Sequence, residues 1–261
     1  MEATGQPRSA FTVRLGAADA AAAFLLGLRW SVTDPELRWR VAASLLVNTL
    51  LFAAFAAALL FGGWAGARAL LARMALPDWL AWLVPLFTLL GLVLLAPALF
   101  QAIGSVALAP WRARIFARAR VLAGAPLREG PGGIVPIVRV AGTELRRLVR
   151  LLVIALALLP LHLVPGIGSA AYVALQGLAS IHSLGWDLLS YHFELHDVPY
   201  AAQRELLRRN RAAVLAAGAL MLGFGLLPLV QLWSLSAHAA GAGVLSAWLE
   251  RGVPPRRERL A

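Results

Sequence analysis

Two stretches of this chain, Val41–Trp64 and Trp79–Trp111, run without a single charged residue. Each is long enough to cross the roughly 30 Å hydrocarbon core of a bilayer as a helix. In lipid every backbone N–H and C=O must be satisfied within the protein, so unbroken apolar runs of this kind fold as helices. The rest of the composition points the same way: of 261 residues 60% are hydrophobic and 14% are charged. A soluble domain carries about 25% charged residues, so the expected class is an all-α integral membrane protein.

The second run exceeds the length of one crossing, and Pro85 and Pro97 are positioned to kink it. Trp79, Trp82 and Trp111 stand near its ends, where interfacial aromatic belts form. Two further apolar stretches are interrupted. Leu151–Trp186 is broken at Pro160 and again at Pro165-Gly166-Ile167-Gly168-Ser169, and Ala212–Trp248 is broken at Pro228. Leu-Leu-Pro-Leu occurs at both breaks, at residues 158–161 and 226–229, which suggests a duplicated helical hairpin.

Charge assigns the sides. The net charge is +11 and every basic residue is Arg. Arginines crowd the segment before Val41, residues 112–150, residues 204–211 and the tail 249–261, while the connection between the first two runs holds only Arg68 and Arg73. The positive-inside rule then predicts that the N-terminus, the loop of residues 112–150 and the C-terminus are cytoplasmic. With two full crossings at 41–64 and 79–111, the stretches 151–186 and 212–248 must each leave and return on one side. Their halves are short, so the expectation is two Pro/Gly-broken, half-penetrating hairpins. A turn at membrane depth must be buried in protein or line water, which points to an oligomer or a pore. Basic flanks of apolar runs also exclude nucleic acid as the partner and name the lipid bilayer instead. The first forty residues lack the pattern of a cleaved signal peptide, so the first run is expected to remain as a span.

Residues 11–30 mix Phe11, Leu15, Phe24, Leu25 and Leu28 with Arg14, Asp19 and Arg29 and read as an N-terminal amphipathic, interfacial helix. Its end, Gly27-Leu28-Arg29, sets a guanidinium beside glycine. That fork of donors suits an oxyanion, and glycine lets backbone N–H groups come near; an anchoring charge at the interface is the other reading. Pro165, Gly166, Gly168 and Ser169 are candidates for a half-helix start whose free N–H groups point at an anion, or for a tight turn. His192 and His196 are four residues apart, yet Glu194 falls off their face, and no metal site is expected. Cysteine is absent, which removes disulfides, thiolate ligands and cysteine nucleophiles. No phosphate loop, dinucleotide fingerprint or nucleophile elbow occurs, so no catalytic residue and no cofactor is expected, and the chain does not read as an enzyme.

Three motifs, in order, carry a resemblance. They are Phe24-Leu25-Leu26-Gly27-Leu28-Arg29 with Asp34-Pro35-Glu36-Leu37-Arg38 and Asn48; Val164-Pro165-Gly166-Ile167-Gly168-Ser169; and Leu206-Leu207-Arg208-Arg209-Asn210-Arg211 leading to Gly223-Phe224-Gly225 and Leu227-Pro228-Leu229. In this order the chain resembles the CysZ sulfate permeases and the wider etoposide-induced membrane protein family. It departs from their pattern at His196-Asp197-Val198-Pro199-Tyr200 and at Gln231. The resemblance implies two long transmembrane helices plus two half-penetrating hairpins, a homo-oligomer in the bacterial inner membrane, and uptake of sulfate or a similar anion for cysteine synthesis. It also implies that Gly27, Leu28 and Arg29 bind the anion. A non-transporting membrane scaffold of the same family is the alternative.

Overall fold

A computed structural model describes residues 14–73, 107–127 and 134–253, with residues 83, 86 and 104 between them. Most of the second apolar run, the start of the 11–30 segment and the end of the 249–261 tail lie outside the described residues. The described residues are helical: α1 Ala17–Thr33, α2 Pro35–Arg73, α3 Ala109–Leu122, α4 Ile134–Leu158, a 3-10 segment Leu159–Leu163, α5 Gly168–Leu195, α6 Tyr200–Arg209, α7 Arg211–Gly225 and α8 Pro228–Arg251. They fall into two compact units, one from the chain before residue 44 and after residue 109, the other from residues 44–109.

Local chemistry explains the boundaries. The Gly16 N–H donates to Asp19 Oδ2 at 3.0 Å and opens α1, with an acid in the first turn where the helix dipole favours it. Asp34 leaves the helix in an extended conformation, and its Oδ1 accepts the Leu37 N–H at 2.8 Å. One aspartate thereby ends α1 and caps α2, whose first residue, Pro35, has no N–H to lose. Asn210 separates α6 from α7. Its Oδ1 accepts the Leu15 N–H at 2.9 Å across 195 residues, and its Nδ2 donates to the Leu206 carbonyl.

α2, which from residue 44 onward belongs to the second unit, is the one described helix long and apolar enough to cross a membrane, and almost none of its apolar window is buried. Its 39 residues extend about 58 Å at 1.5 Å per residue, well past one bilayer core.

The first unit is organised around α8. From Ser236 to Leu249 every residue of α8 is buried, and the run Ala-His-Ala-Ala-Gly-Ala-Gly is small on every face, so α1, α5 and α7 pack on it. Glycines set the closest approaches. A Cβ on Gly27 of α1 would overlap the backbone of Ala240 and Gly241, one on Gly243 would come within 2.5 Å of the Phe116 carbonyl on α3, and Gly185 of α5 and Gly218 of α7 face each other in the same way. Small residues at helix crossings let backbones meet, as helices in lipid require. Part of the apolar surface of α1 is taken up by this packing: Ala20, Ala23, Phe24 and Leu28 are buried, while Leu25 stays 49% exposed.

Both interrupted stretches break where proline and glycine stand. α4 passes through the 3-10 segment and the turn 164–167 into α5, and α7 breaks at Leu226-Leu227 before Pro228 starts α8. The tips are apolar and exposed: Leu163 is 84%, Ile167 72% and Leu226 74% accessible. The arginine-rich segment 112–150 is helical over most of its length. Two of its arginines, Arg112 and Arg120, sit eight residues apart on one buried face of α3.

Candidate functional site

Gly27, Leu28 and Arg29 fall in the last turns of α1. Inside a helix each N–H is committed to the carbonyl four residues earlier, so the Gly27 amide is occupied while α1 is intact. The absent side chain serves the contact with Gly241. Leu28 is buried beside it and Arg29 is exposed, its carbonyl accepting the Thr33 hydroxyl at 3.1 Å. Of the three, the Arg29 guanidinium is the group that can meet an anion.

At the other candidate, Gly166 adopts φ +83°, a left-handed conformation that glycine takes at little cost. It turns the chain so that Gly168 begins α5 against the Leu161 carbonyl. The Ile167 and Gly168 amides bond to Pro165 and Val164, whereas the Ser169 and Ala170 amides make no backbone bond to the turn, the usual state of a first helical turn. Ser169 Oγ lies 3.0 Å from His162 Nδ1. Arg29 and this turn belong to different packing groups: α1 rests on α7 and α8, the turn on the 3-10 segment, α4 and α5.

Sequence reasoning singled out His192 and His196 but missed the buried polar cluster that they join. Arg120, only 2% exposed, donates from Nη2 to both carboxylate oxygens of Glu250 at 2.7 Å. His196 Nε2 lies 2.6 Å from Glu250 Oε1, and buried His192 Nδ1 lies 2.8 Å from Ser246 Oγ. Phe116, one turn before Arg120, stacks on Tyr191 at 5.5 Å and lies under the Arg120 guanidinium at 5.8 Å. α3, α5 and α8 are thus joined through charge. Burial works against the Glu250 carboxylate, but the His196 hydrogen bond and the Arg120 charge hold it below its ordinary range. Burial pushes His192 down to about 3, with His196 adding to the effect. The usable signal was an acid placed directly after the last uncharged run, together with Arg112, Phe116 and Arg120 spaced four apart.

His192, His196 and Glu250 bring ligand atoms within 4.8 Å of one another, a His2Glu set of the kind zinc accepts. Arg120 already balances the Glu250 charge, so a divalent cation there would add unpaired positive charge to a buried site.

A second ionic cluster closes the α1–α2 corner. Arg118 meets Asp34 at 3.1 Å and Glu36 at 3.0 Å, and Glu36 also pairs with Arg40. Burial opposes the Asp34 charge, yet the Leu37 amide and Arg118 leave its carboxyl below the ordinary value. The motif Asp34-Pro35-Glu36 therefore acts as a clamp on α3.

The chain is similar to known proteins. A family described as "Sulfate transporter CysZ/Etoposide-induced protein 2.4" matches residues 23–234, covering α1 from residue 23 on, the turn at 164–167 and the break before Pro228. The chain is 30% identical over 184 residues to the sulfate transporter CysZ of Pectobacterium atrosepticum, covering 67% of this chain and 66% of that protein. It is 29% identical over 180 residues to the proteins of the same name from Salmonella paratyphi A and Salmonella typhimurium, covering 67% of this chain and 70% of each. The chain spans about two thirds of the length of these relatives. A match that takes in four-fifths of the chain and every motif described above carries one conclusion: this chain belongs to the sulfate transporter CysZ/etoposide-induced protein 2.4 family.

Proposed function

We propose that this protein is an inner-membrane permease for sulfate or a similar tetrahedral oxyanion, feeding sulfur assimilation, with Arg29 as an anion ligand. The observation that carries the reading is the family match across residues 23–234, joined to relatives that bear the name sulfate transporter. Arg29 is exposed on a helix pinned to α8 through Gly27, so its guanidinium is presented from a rigid base, and a planar fork of donors fits two oxyanion oxygens at once. The Ser169 and Ala170 amides at the start of α5 supply donors of a second kind along the path. Sulfate loses water reluctantly, and burying its charge without such donors would cost many kcal/mol.

In liposomes, Arg29→Ala is expected to lower sulfate uptake about tenfold or more, the scale of losing a charge-assisted pair, while its unfolding temperature stays that of the parent. Uptake unchanged by the substitution would remove Arg29 from the site. No uptake by the parent protein would favour the scaffold reading, which draws on the exposed apolar faces of α4 and α5 as surfaces for assembly into an oligomer.

The same proposal places both chain ends in the cytoplasm and lets the two interrupted stretches enter the bilayer only partway. Apolar tips support this: Leu163, Ile167 and Leu226 are the wrong residues for loops standing in water. The chain has no cysteine, so Ser169→Cys and Leu226→Cys each introduce a single reporter. Neither is expected to react with an impermeant maleimide applied to the periplasmic face, whereas Ala202→Cys should react only from the arginine-rich side. Rapid periplasmic labelling at either tip would show a full crossing instead.

A further inference from the structure

Beyond anion transport, the geometry points to a second binding site, for the headgroup of an anionic glycerophospholipid. It is a cavity of about 340 Å3 lined by Trp39, Arg40 and Ala43 of α2 and by Trp111 and Arg114 of α3, all within the first unit.

Its depth in the bilayer follows from the chain. Trp39 and Arg40 immediately precede Val41, where the first uncharged run begins, and Trp111 closes the second run with Arg114 just beyond it. On the topology proposed above both ends face the arginine-rich side, so the two tryptophans and two arginines gather where lipid headgroups lie. The corner is fixed rather than loose. Arg40 donates from Nη1 to the Arg114 carbonyl at 2.9 Å, and Arg118 ties α3 to Asp34 and Glu36.

Charge selects the ligand. Asp34 and Glu36 are engaged by Arg118 and Arg40, while Arg114, exposed, forms no ion pair among the described residues. Three arginines thus face two carboxylates, and the surplus cation, Arg114, lines the cavity beside the paired Arg40. A guanidinium binds a phosphate diester as a fork. The indole rings select against a free ion: Trp39 is 73% exposed, and with Trp111 and Ala43 it offers apolar wall suited to the glycerol and upper acyl region. A lipid uses both kinds of wall, and an inorganic anion uses only one. A volume of this size is that of a small-molecule site.

The test uses the purified full-length chain in detergent, titrated with phosphatidylglycerol and followed by native mass spectrometry. Phosphatidylglycerol should bind about tenfold more tightly than phosphatidylcholine. Arg114→Gln and Trp39→Ala should each weaken it by a similar factor, and Arg204→Gln on the exposed face of α6 should leave it unchanged. Arg114 and Trp39 lie at the surface, so neither change threatens the fold, and unaltered thermal unfolding of both variants checks this. Equal binding of the two lipids, or full retention by Arg114→Gln, overturns the proposal. Displacement of phosphatidylglycerol by equimolar inorganic phosphate would also overturn it, by showing a site for a soluble anion. Sulfate uptake by the parent protein is a separate readout, so this site and the transport function can fail independently.

Discussion

Gly27→Ala should destabilise the protein by about 3 kcal/mol, the upper part of the range for overpacking a tight contact. The cost is high because the new methyl would overlap the backbone of Ala240 and Gly241, and backbone cannot rotate away as a flexible side chain can. Relief requires α1 to lift from α8, which would also loosen Phe24 and Leu28, both buried in the same core. Gly66→Ala is the matched control. Its Cβ would meet nothing within 4 Å, so α2 should gain up to about 1 kcal/mol from the better helix former. Thermal unfolding in detergent, read by size exclusion, compares them. A Gly27→Ala protein as stable as its parent would mean that the α1–α8 crossing is not as close as the structure has it. The comparison also separates packing from ligand binding, since Gly27→Ala should fail with or without sulfate while Arg29→Ala keeps its fold and loses uptake.

Glu250→Ala is expected to cost about 3–5 kcal/mol, because it strands the buried Arg120 guanidinium without its carboxylate. Arg120→Met, which removes the charge and retains apolar volume, strands Glu250 in turn but leaves it His196, so a smaller loss is expected. Combining Glu250→Ala with Arg120→Met should recover part of the loss, the signature of direct coupling. The cluster also sets a pH response. The His192 pKa is lower in the folded protein, about 3, than the ordinary 6.5. Below pH 6.5 the unfolded chain therefore binds a proton that the folded protein refuses, and the stability held above pH 6.5 is lost as pH falls towards 3. Each unpaired proton contributes a slope of up to about 1.4 kcal/mol per pH unit. Glu250, also depressed, adds to the loss below its ordinary value near 4.5. His192→Gln should flatten unfolding between pH 6.5 and 4.5 in particular. An unaltered slope would mean that His192 does not titrate differently on folding.

Much of this was legible before any coordinates. The absence of charge over Val41–Trp64 marked a helix, and the proline–glycine clusters marked where the later stretches break, since helix termination is a property of a few neighbouring residues. Asp34-Pro35 announced the α1–α2 corner for the same reason. Arg29 was legible as a candidate from its motif. The amide of Gly27 was not: whether a glycine is wanted for its free backbone or for its missing side chain depends on what stands opposite, and here that is Gly241, more than two hundred residues away.

Class and family were thus settled by local quantities, hydropathy along the chain and the order of short motifs, because the cost of placing charge or unsatisfied backbone in lipid is incurred segment by segment. The partners were settled by packing. Arg112 and Arg120 look like any other members of an arginine-rich flank until α3 is laid against α5 and α8, and Glu250 meets Arg120 across 130 residues of chain. Burial and ion pairing are properties of the surroundings, and only the folded arrangement of helices creates those surroundings.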